Sequence, residues 1–256
     1  MSEQDIPTEL PEPLPDARSE GALRIAFLTT EYATEPTFYD GGVAQLLGRQ
    51  SRALLERGHR VEVFVIGDDE VTYEADGVIV HRVRATSRAA DFLHTQANRV
   101  FRHGWHESVH CLSVAASLRG ALLRRHREAP FDLAQVTSLR AAPLLLGRGL
   151  SALPVVVQLS SDFEAVRKAY RQKPTADGRL ARWLTLQACR RARNIYVPSD
   201  LVARAMAERH GMRVRVLRPT VELKKVPCDW SIYEEHGKGR DYLLFHGSIG
   251  RLKGVA

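Results

Sequence analysis

The feature that most constrains this chain is a short apolar segment followed, after a polar loop, by two glycines and an amphipathic pattern. Residues 23–28 (LRIAFL) are almost continuously apolar, as in a parallel strand that is covered on both faces. After Gly41 and Gly42, apolar residues recur at helical spacing until Gly58 ends the pattern. This order predicts the first strand and helix of a doubly wound, Rossmann-like α/β fold with a mainly parallel sheet.

The glycine pair has two interpretations. Gly41 and Gly42 precede the predicted helix, where unpaired backbone N–H groups and the helix dipole favour an anion such as a phosphate. Alternatively, Asp40 is a simple N-cap and the glycines form a tight turn. Spacing alone does not separate the phosphate site from the turn.

Composition limits the classes of function. The 256 residues are 44% hydrophobic with a formal charge of +7, which suits phosphorylated ligands, nucleic acid or an anionic membrane surface. The basic residues are dispersed over predicted helices without an aromatic-rich pattern beside them, so we predict solvated helix faces and no nucleic-acid partner. Residues 1–21 are acidic and proline-rich, which predicts a disordered tail.

Cysteine usage and apolar runs bear on location. The three cysteines, Cys111, Cys189 and Cys228, have no metal-ligand spacing, which favours a reducing cytoplasm. No apolar run of membrane-spanning length occurs, and peripheral contact with the inner face of the membrane stays open. Of the clustered histidines, His103, His106 and His110 can share a helix face, but Gly104 interrupts the series and we predict no metal site.

The rest of the chain continues the alternation of strands and helices. We predict strands at 60–66, 131–136, 153–159 and 212–217, and a hairpin that turns at Asp76-Gly77. Helical patterns cover much of 86–128, 140–150 and 179–193, and Ser199 is placed to cap a further helix. The strand at 153–159 ends in Ser160, Ser161 and Asp162.

These motifs resemble the N-terminal domain of retaining GT-B glycosyltransferases, the glycosyltransferase group 1 or family 4-like proteins. The similarity lies in the strand, the Gly41-Gly42 pair, a helix ending in RGH and a valine-rich second strand. A second similarity is GSIGRLKG near the end, where Lys253 and Gly254 match the lysine and glycine of the C-terminal domain. In this segment Ser248 stands where the family usually has an arginine, and the nearby Arg251 can take the place of that arginine. The alternative interpretation of the segment is a solvated basic turn.

The resemblance implies a domain organisation and a site. It divides the chain into an acceptor-side domain at 22–222, a linker at 223–240 and the start of a donor-binding domain at 241–256. It implies that the donor phosphates bind a set of glycines and cations: Gly41, Gly42, Arg251 and Lys253. Residues near the carboxyl ends of the strands are expected to bind the acceptor or sugar: Glu31, Tyr32, Ser138, Ser160, Ser161 and Asp162. Ser160 stands where the family usually has a histidine.

The implied activity is transfer of a sugar from a nucleotide-sugar to an acceptor, with retained configuration and no cofactor. The acceptor class is open among saccharides, lipid-linked sugars and small molecules, and no catalytic base is assigned. Because most of a donor domain would follow Ala256, we expect a truncated chain or a donor domain on a separate chain, and no activity from this chain alone.

Two other classes of function remain. One is a non-catalytic partner subunit with a degenerate domain. The other is a different nucleotide-binding Rossmann-like enzyme, against which the missing G-x-G-x-x-G fingerprint argues.

Overall fold

The computed structural model describes residues 21–32, 41–85, 106–146, 152–161, 166–168, 171, 173, 175–219 and 230–239. The strands are β1 Arg24–Thr29, β2 Arg60–Gly67, β3 Val71–Ala75, β4 Val78–Arg84, β5 Leu133–Thr137, β6 Val155–Gln158, β7 Asn194–Val197 and β8 Arg215–Val216. The α-helices are α1 Gly42–Leu55, α2 His106–Glu128, α3 Ala176–Arg191, α4 Asp200–His210 and α5 Ser231–His236, with a 3₁₀ helix at Leu139–Leu145.

The described strands form one sheet in the order β3-β4-β2-β1-β5-β6-β7-β8. Every neighbouring pair is parallel except β3 and β4, which form an antiparallel hairpin at one edge. From β1 the chain builds outwards through β2 and β4, and then returns to pair β5 with the other side of β1. The strand order therefore reverses between β1 and β5, which confirms the doubly wound, Rossmann-like fold.

Two apolar cores lie on opposite faces of the sheet. Ile25 and Phe27 of β1 pack on one face with Leu47 of α1, whereas Ala26 and Leu28 belong to the cluster on the other face with Leu118 of α2. Because both faces of β1 are covered, successive side chains are all buried, which explains the apolar run in the sequence.

Local signals in the sequence formed the expected turns and caps. Asp76 and Gly77 have φ values of 50° and 77°, the left-handed conformation of a tight hairpin turn between β3 and β4. At the start of α4, the Ser199 hydroxyl accepts a hydrogen bond from the Val202 N–H at 3.4 Å. Gly211, with φ 64°, ends that helix. The predicted hairpin turn and the predicted Ser199 cap are confirmed.

An α-helix was predicted over 140–150, and this prediction is wrong for the residues that the structure describes. The segment is a 3₁₀ helix at Leu139–Leu145, and residues 147–150 lie outside the described residues. Pro143 cannot donate a helical hydrogen bond, and Arg140 and Ala141 have left-handed φ values of 51° and 54°. Both features prevent a continuous α-helix. The strand predicted at 212–217 is also shorter, because only β8 pairs.

A buried carboxylate joins three strands to α2. Glu62 of β2 accepts hydrogen bonds from Arg24 of β1 and from the Nε of Arg125 of α2, the latter at 2.9 Å, and lies 2.8 Å from Nε2 of His81 in β4. Its side chain is only 4% exposed. Burial alone would raise the pKa of Glu62, but the hydrogen bonds from Arg125, His81 and Arg24 outweigh it and lower the pKa to about 2. Arg125, one of the basic residues on the predicted helix faces, therefore also binds a buried carboxylate.

A second buried carboxylate joins two helices. Asp177, in the first turn of α3, accepts the backbone N–H of Glu107 at 2.7 Å and of Ser108 at 3.0 Å, and also the Ser108 hydroxyl. The first N–H groups of a helix have no partner within that helix. Asp177 therefore caps α2 from a neighbouring helix 70 residues away in sequence.

Candidate functional site

The carboxyl ends of β1, β5 and β6 meet at the point where the strand order reverses. The buried Thr137 hydroxyl donates to the Thr29 hydroxyl oxygen at 3.4 Å, and the Thr29 hydroxyl donates to the Glu31 carbonyl at 3.0 Å. The Ser138 N–H donates to the Gln158 carbonyl at 2.9 Å. These bonds hold the loops after the three strands side by side. Ligands of open α/β sheets bind in the crevice at such a point.

Two serine hydroxyls at this edge are buried without a protein partner. Ser138 is 1% exposed, and the Oγ atoms of Ser138 and Ser160 have no hydrogen-bond partner within the described part of the chain. Leaving a buried hydroxyl unpaired costs free energy, and so such groups are uncommon away from sites that bind water or a ligand. The structure thus brings Ser138 and Ser160 to neighbouring strand ends, as predicted from the sequence, with hydrogen-bonding capacity to spare.

The two glycines before α1 serve different purposes. Gly41 is the N-cap and Gly42 the first helical residue, and no described side chain caps the helix. A Cβ atom on Gly41 would lie 2.5 Å from Oε2 of Glu31, whereas one on Gly42 would meet nothing within 4 Å. Gly41 therefore makes room for the Glu31 carboxylate, which suits the positive end of the helix dipole. Gly42 leaves its side of the helix start open.

Comparison with known proteins identifies the family. Residues 41–220, which include the glycine pair and the carboxyl ends of β5 and β6, match the family model described as the glycosyl transferase 4-like domain. The chain belongs to that family. No curated protein sequence matches the chain.

A solved structure of a sucrose-phosphate synthase has the same fold as this chain. Sucrose-phosphate synthase from Thermosynechococcus elongatus is 14% identical, with a TM-score of 0.50 over 77% of this chain and 48% of that one. The catalytic domain of starch synthase IV from Arabidopsis thaliana, bound to ADP and acarbose, is 12% identical, with a TM-score of 0.46 over 78% of this chain and 52% of that one. This chain thus spans about half the length of these two proteins. The GT-B N-terminal fold is confirmed.

Tyr32 lies on the α1 side of the sheet. It is half-buried and packs against the cluster that contains Ile25, Phe27 and Leu47. Burial raises the pKa of the Tyr32 hydroxyl, an effect that the neighbouring Ser51 hydroxyl and Arg52 partly oppose. The Tyr32 ring therefore packs against this cluster, and its predicted contact with acceptor or sugar stays a prediction.

Several predicted site residues lie outside the described residues: Asp40, Asp162, Arg251 and Lys253. The same holds for the segment 241–256, and for most of the predicted linker apart from residues 230–239, which contain α5. Ser161 is described and is half-buried beside Ser160. The phosphate contacts predicted for the two cations therefore remain predictions.

Metal sites, reactive thiols and membrane-spanning helices each need a particular arrangement of residues. In the part of the chain that the structure describes, no group of three or more His, Cys, Asp or Glu residues is placed to hold a metal ion. Burial raises the pKa of Cys111 to about 11 and of Cys189 to about 12, so both thiols are protonated near neutral pH. Among the described helices, none combines the length and the apolarity that crossing a bilayer requires.

Sequence reasoning missed a polar network on the α1 side of the sheet. The Gln135 side chain donates to Gln50 of α1 at 3.0 Å and to Gln158 of β6 at 3.2 Å. Together with Tyr196 these residues line a groove of about 580 Å³ between α1 and β5–β7. The only signal in the sequence was a glutamine, Gln158, at the end of the valine run in β6.

Proposed function

We propose that this chain is the acceptor-side half of a retaining glycosyltransferase that takes its sugar from a nucleotide-sugar donor. The observation that carries the proposal is the family match over residues 41–220, which spans more than half of the chain and includes the glycine pair. The reversal of strand order between β1 and β5 supports it, because this fold class binds ligands outside the sheet at such a point. The donor, the acceptor and the retained configuration are part of the proposal.

Each described residue of the crevice has a proposed role. The free backbone N–H groups at Gly42 bind a donor phosphate, because the position beside this glycine is open and lies at the positive end of α1. The unpartnered hydroxyls of Ser138 and Ser160 bind hydroxyl groups of the sugar or the acceptor. Glu31, whose carboxylate lies against Gly41, accepts a hydrogen bond from a hydroxyl group of the sugar or the acceptor.

The leaving diphosphate needs a fixed positive charge beside it. As the bond to the transferred sugar breaks, negative charge grows on the diphosphate, and a fixed cation stabilises it. Lys253 and Arg251 are the proposed cations, held in place by the remainder of a donor-binding domain. That domain, in the same polypeptide or a separate chain, completes the active enzyme.

The proposal is tested with the longest natural polypeptide that contains these residues. It is incubated with a panel of radiolabelled nucleotide-sugars and a mixture of saccharide, lipid-linked and small-molecule acceptors, and the anomeric configuration of the product is read by NMR. We expect turnover with at least one donor and retained configuration. No turnover with any donor, or an inverted product, contradicts the proposal.

Two matched variants test whether Gly42 lies at the phosphate site. Gly42→Val should lower turnover at least a hundredfold with an unchanged melting temperature, because its Cβ atom meets no neighbour but its bulk covers the helix start. Gly48→Val places the same side chain in the middle of α1, also without a neighbour within 4 Å, and should keep activity. Equal activity in the two variants would exclude Gly42 as the phosphate site.

A further inference from the structure

Helix α3 presents a surface without exposed acidic groups. Its only acidic residue, Asp177, is 9% exposed and is used to cap α2. The remaining charged residues of the helix are all arginines: Arg179, Arg182, Arg190 and Arg191. In the middle of the helix, Trp183 is 52% exposed, although indole side chains are usually well buried.

Three exposed residues of α3 form one stripe. Arg179, Trp183 and Arg190 are separated by four and seven residues and therefore lie on one side of the helix. The stripe is about 17 Å long at 1.5 Å per residue. On its other side the helix packs through Leu184 and Cys189 into the apolar core, so this orientation is fixed.

We propose that the α3 stripe binds the surface of a membrane that contains anionic lipids. The arginines bind lipid phosphates, for which the planar guanidinium is well suited, and the Trp183 indole enters the headgroup region. The charged side chains that α3 itself exposes are all positive, and the exposed Glu107 of α2 lies beside Gly178 at the start of the helix. This surface is separate from the proposed glycosyltransferase crevice, and the inference does not depend on that proposal.

A membrane fits the stripe better than a nucleic acid does. Sequence-tolerant binding of single strands uses several aromatic side chains on which successive bases stack, and α3 carries one aromatic residue. A single tryptophan between cations is instead typical of interfacial membrane contact. Helix α3 ends two residues before β7, which is parallel to β6, so the helix runs back along the sheet and the stripe begins towards the end that carries the crevice.

The experiment is vesicle co-sedimentation of the full chain. The vesicles contain either phosphatidylcholine alone or a 7:3 mixture of phosphatidylcholine and phosphatidylglycerol, at low and high salt. We expect binding to the anionic vesicles only, weakened by salt. Arg179→Gln with Arg190→Gln should lower the partition coefficient about thirtyfold, since each cation near an anionic surface contributes about fivefold. Trp183→Ala should lower it several-fold and abolish quenching of indole fluorescence by brominated lipid.

A matched control distinguishes binding through the stripe from a general effect of the net positive charge. Arg49→Gln with Arg52→Gln removes the same two charges from exposed positions of α1, on the opposite face of the sheet. This double variant should bind anionic vesicles within about twofold of the unaltered chain. Three results overturn the proposal: no binding to anionic vesicles, an equal loss in both double variants, or retention of a nucleic-acid oligomer through the stripe without vesicle binding.

Discussion

The two ends of the central sheet differ in whether their buried polar groups have hydrogen-bond partners. Towards the amino ends of β1 and β2, both oxygens of the Glu62 carboxylate are engaged by Arg24, Arg125 and His81. At the carboxyl ends of β5 and β6, the hydroxyls of Ser138 and Ser160 meet no partner within the described residues. Both sets of groups are withdrawn from water, and only the first set is satisfied by the protein.

The difference separates a group that stabilises the fold from groups that are available to a ligand. A fully satisfied charge holds neighbouring elements in one arrangement, and removing it leaves its partners uncompensated. An unsatisfied hydroxyl lowers stability and gains its partner only on binding. If this interpretation is correct, substitutions at the two ends should change stability and binding in opposite proportions.

The largest effect on stability is expected at Glu62. Glu62→Gln leaves Arg24, with a side chain 14% exposed, and Arg125 without the carboxylate that they share. We expect a loss of about 3 kcal/mol in the free energy of unfolding, measured by urea denaturation at neutral pH. Glu128→Gln removes an exposed carboxylate that pairs with the same Arg125, and should cost less than about 0.5 kcal/mol. Equal losses in the two variants would contradict a special role for the buried carboxylate.

The stability that the Glu62 carboxylate contributes should fall as the pH falls. The pKa of Glu62 is lowered from 4.5 to about 2 by folding, so its contribution is fully present above pH 4.5 and is lost as the pH falls towards 2. The unaltered chain should therefore lose its advantage over Glu62→Gln in that window. An advantage that stays constant from neutral pH down to pH 2 would show that the charge is not responsible.

A smaller effect is expected at Asp177, which caps α2 beside the start of α3. Asp177→Ala removes the acceptor for the N–H groups of Glu107 and Ser108, and we expect a loss of about 2 kcal/mol by urea denaturation. The control is Asp69→Ala, which removes a half-exposed partner of Arg82 and should have little effect. A negligible loss of stability in Asp177→Ala would show that the hydrogen bonds of this carboxylate do not stabilise the fold.

The sequence predicted most of the fold because its signals were local. The apolar run of β1, the Asp76-Gly77 turn and the Ser199 cap each depend on a few adjacent residues. The kink at Arg140 and Ala141 was missed because left-handed φ values in residues other than glycine are imposed by packing, and Ala141 is fully buried. Local patterns do not carry that information.

The site was predictable to a lesser degree. The rule that strand ends meet at the reversal of strand order placed Ser138 and Ser160 side by side, because it depends on topology alone, whereas ligand binding by these serines stays a prediction. The Glu62 cluster and the Gln50–Gln135–Gln158 network join residues up to 108 positions apart, and nothing in one sequence pairs them. Likewise, Tyr32 was assigned by position along the chain, whereas the side on which its ring packs is decided by α1.

The smallest effect on stability is expected at the serines. Ser138→Ala and Ser160→Ala remove hydroxyls that have no partner in the described chain, so the free energy of unfolding should stay within about 0.5 kcal/mol or rise. In the active enzyme each variant should lower kcat/KM for the glycosyl donor or acceptor by about three- to tenfold, the contribution of one neutral hydrogen bond. Thr137→Val, which breaks the bond to Thr29 at the same edge, is the control and should lower stability instead. A serine variant that unfolds more easily without any change in kcat/KM would make the hydroxyls structural, and the contrast between the two ends of the sheet would fail.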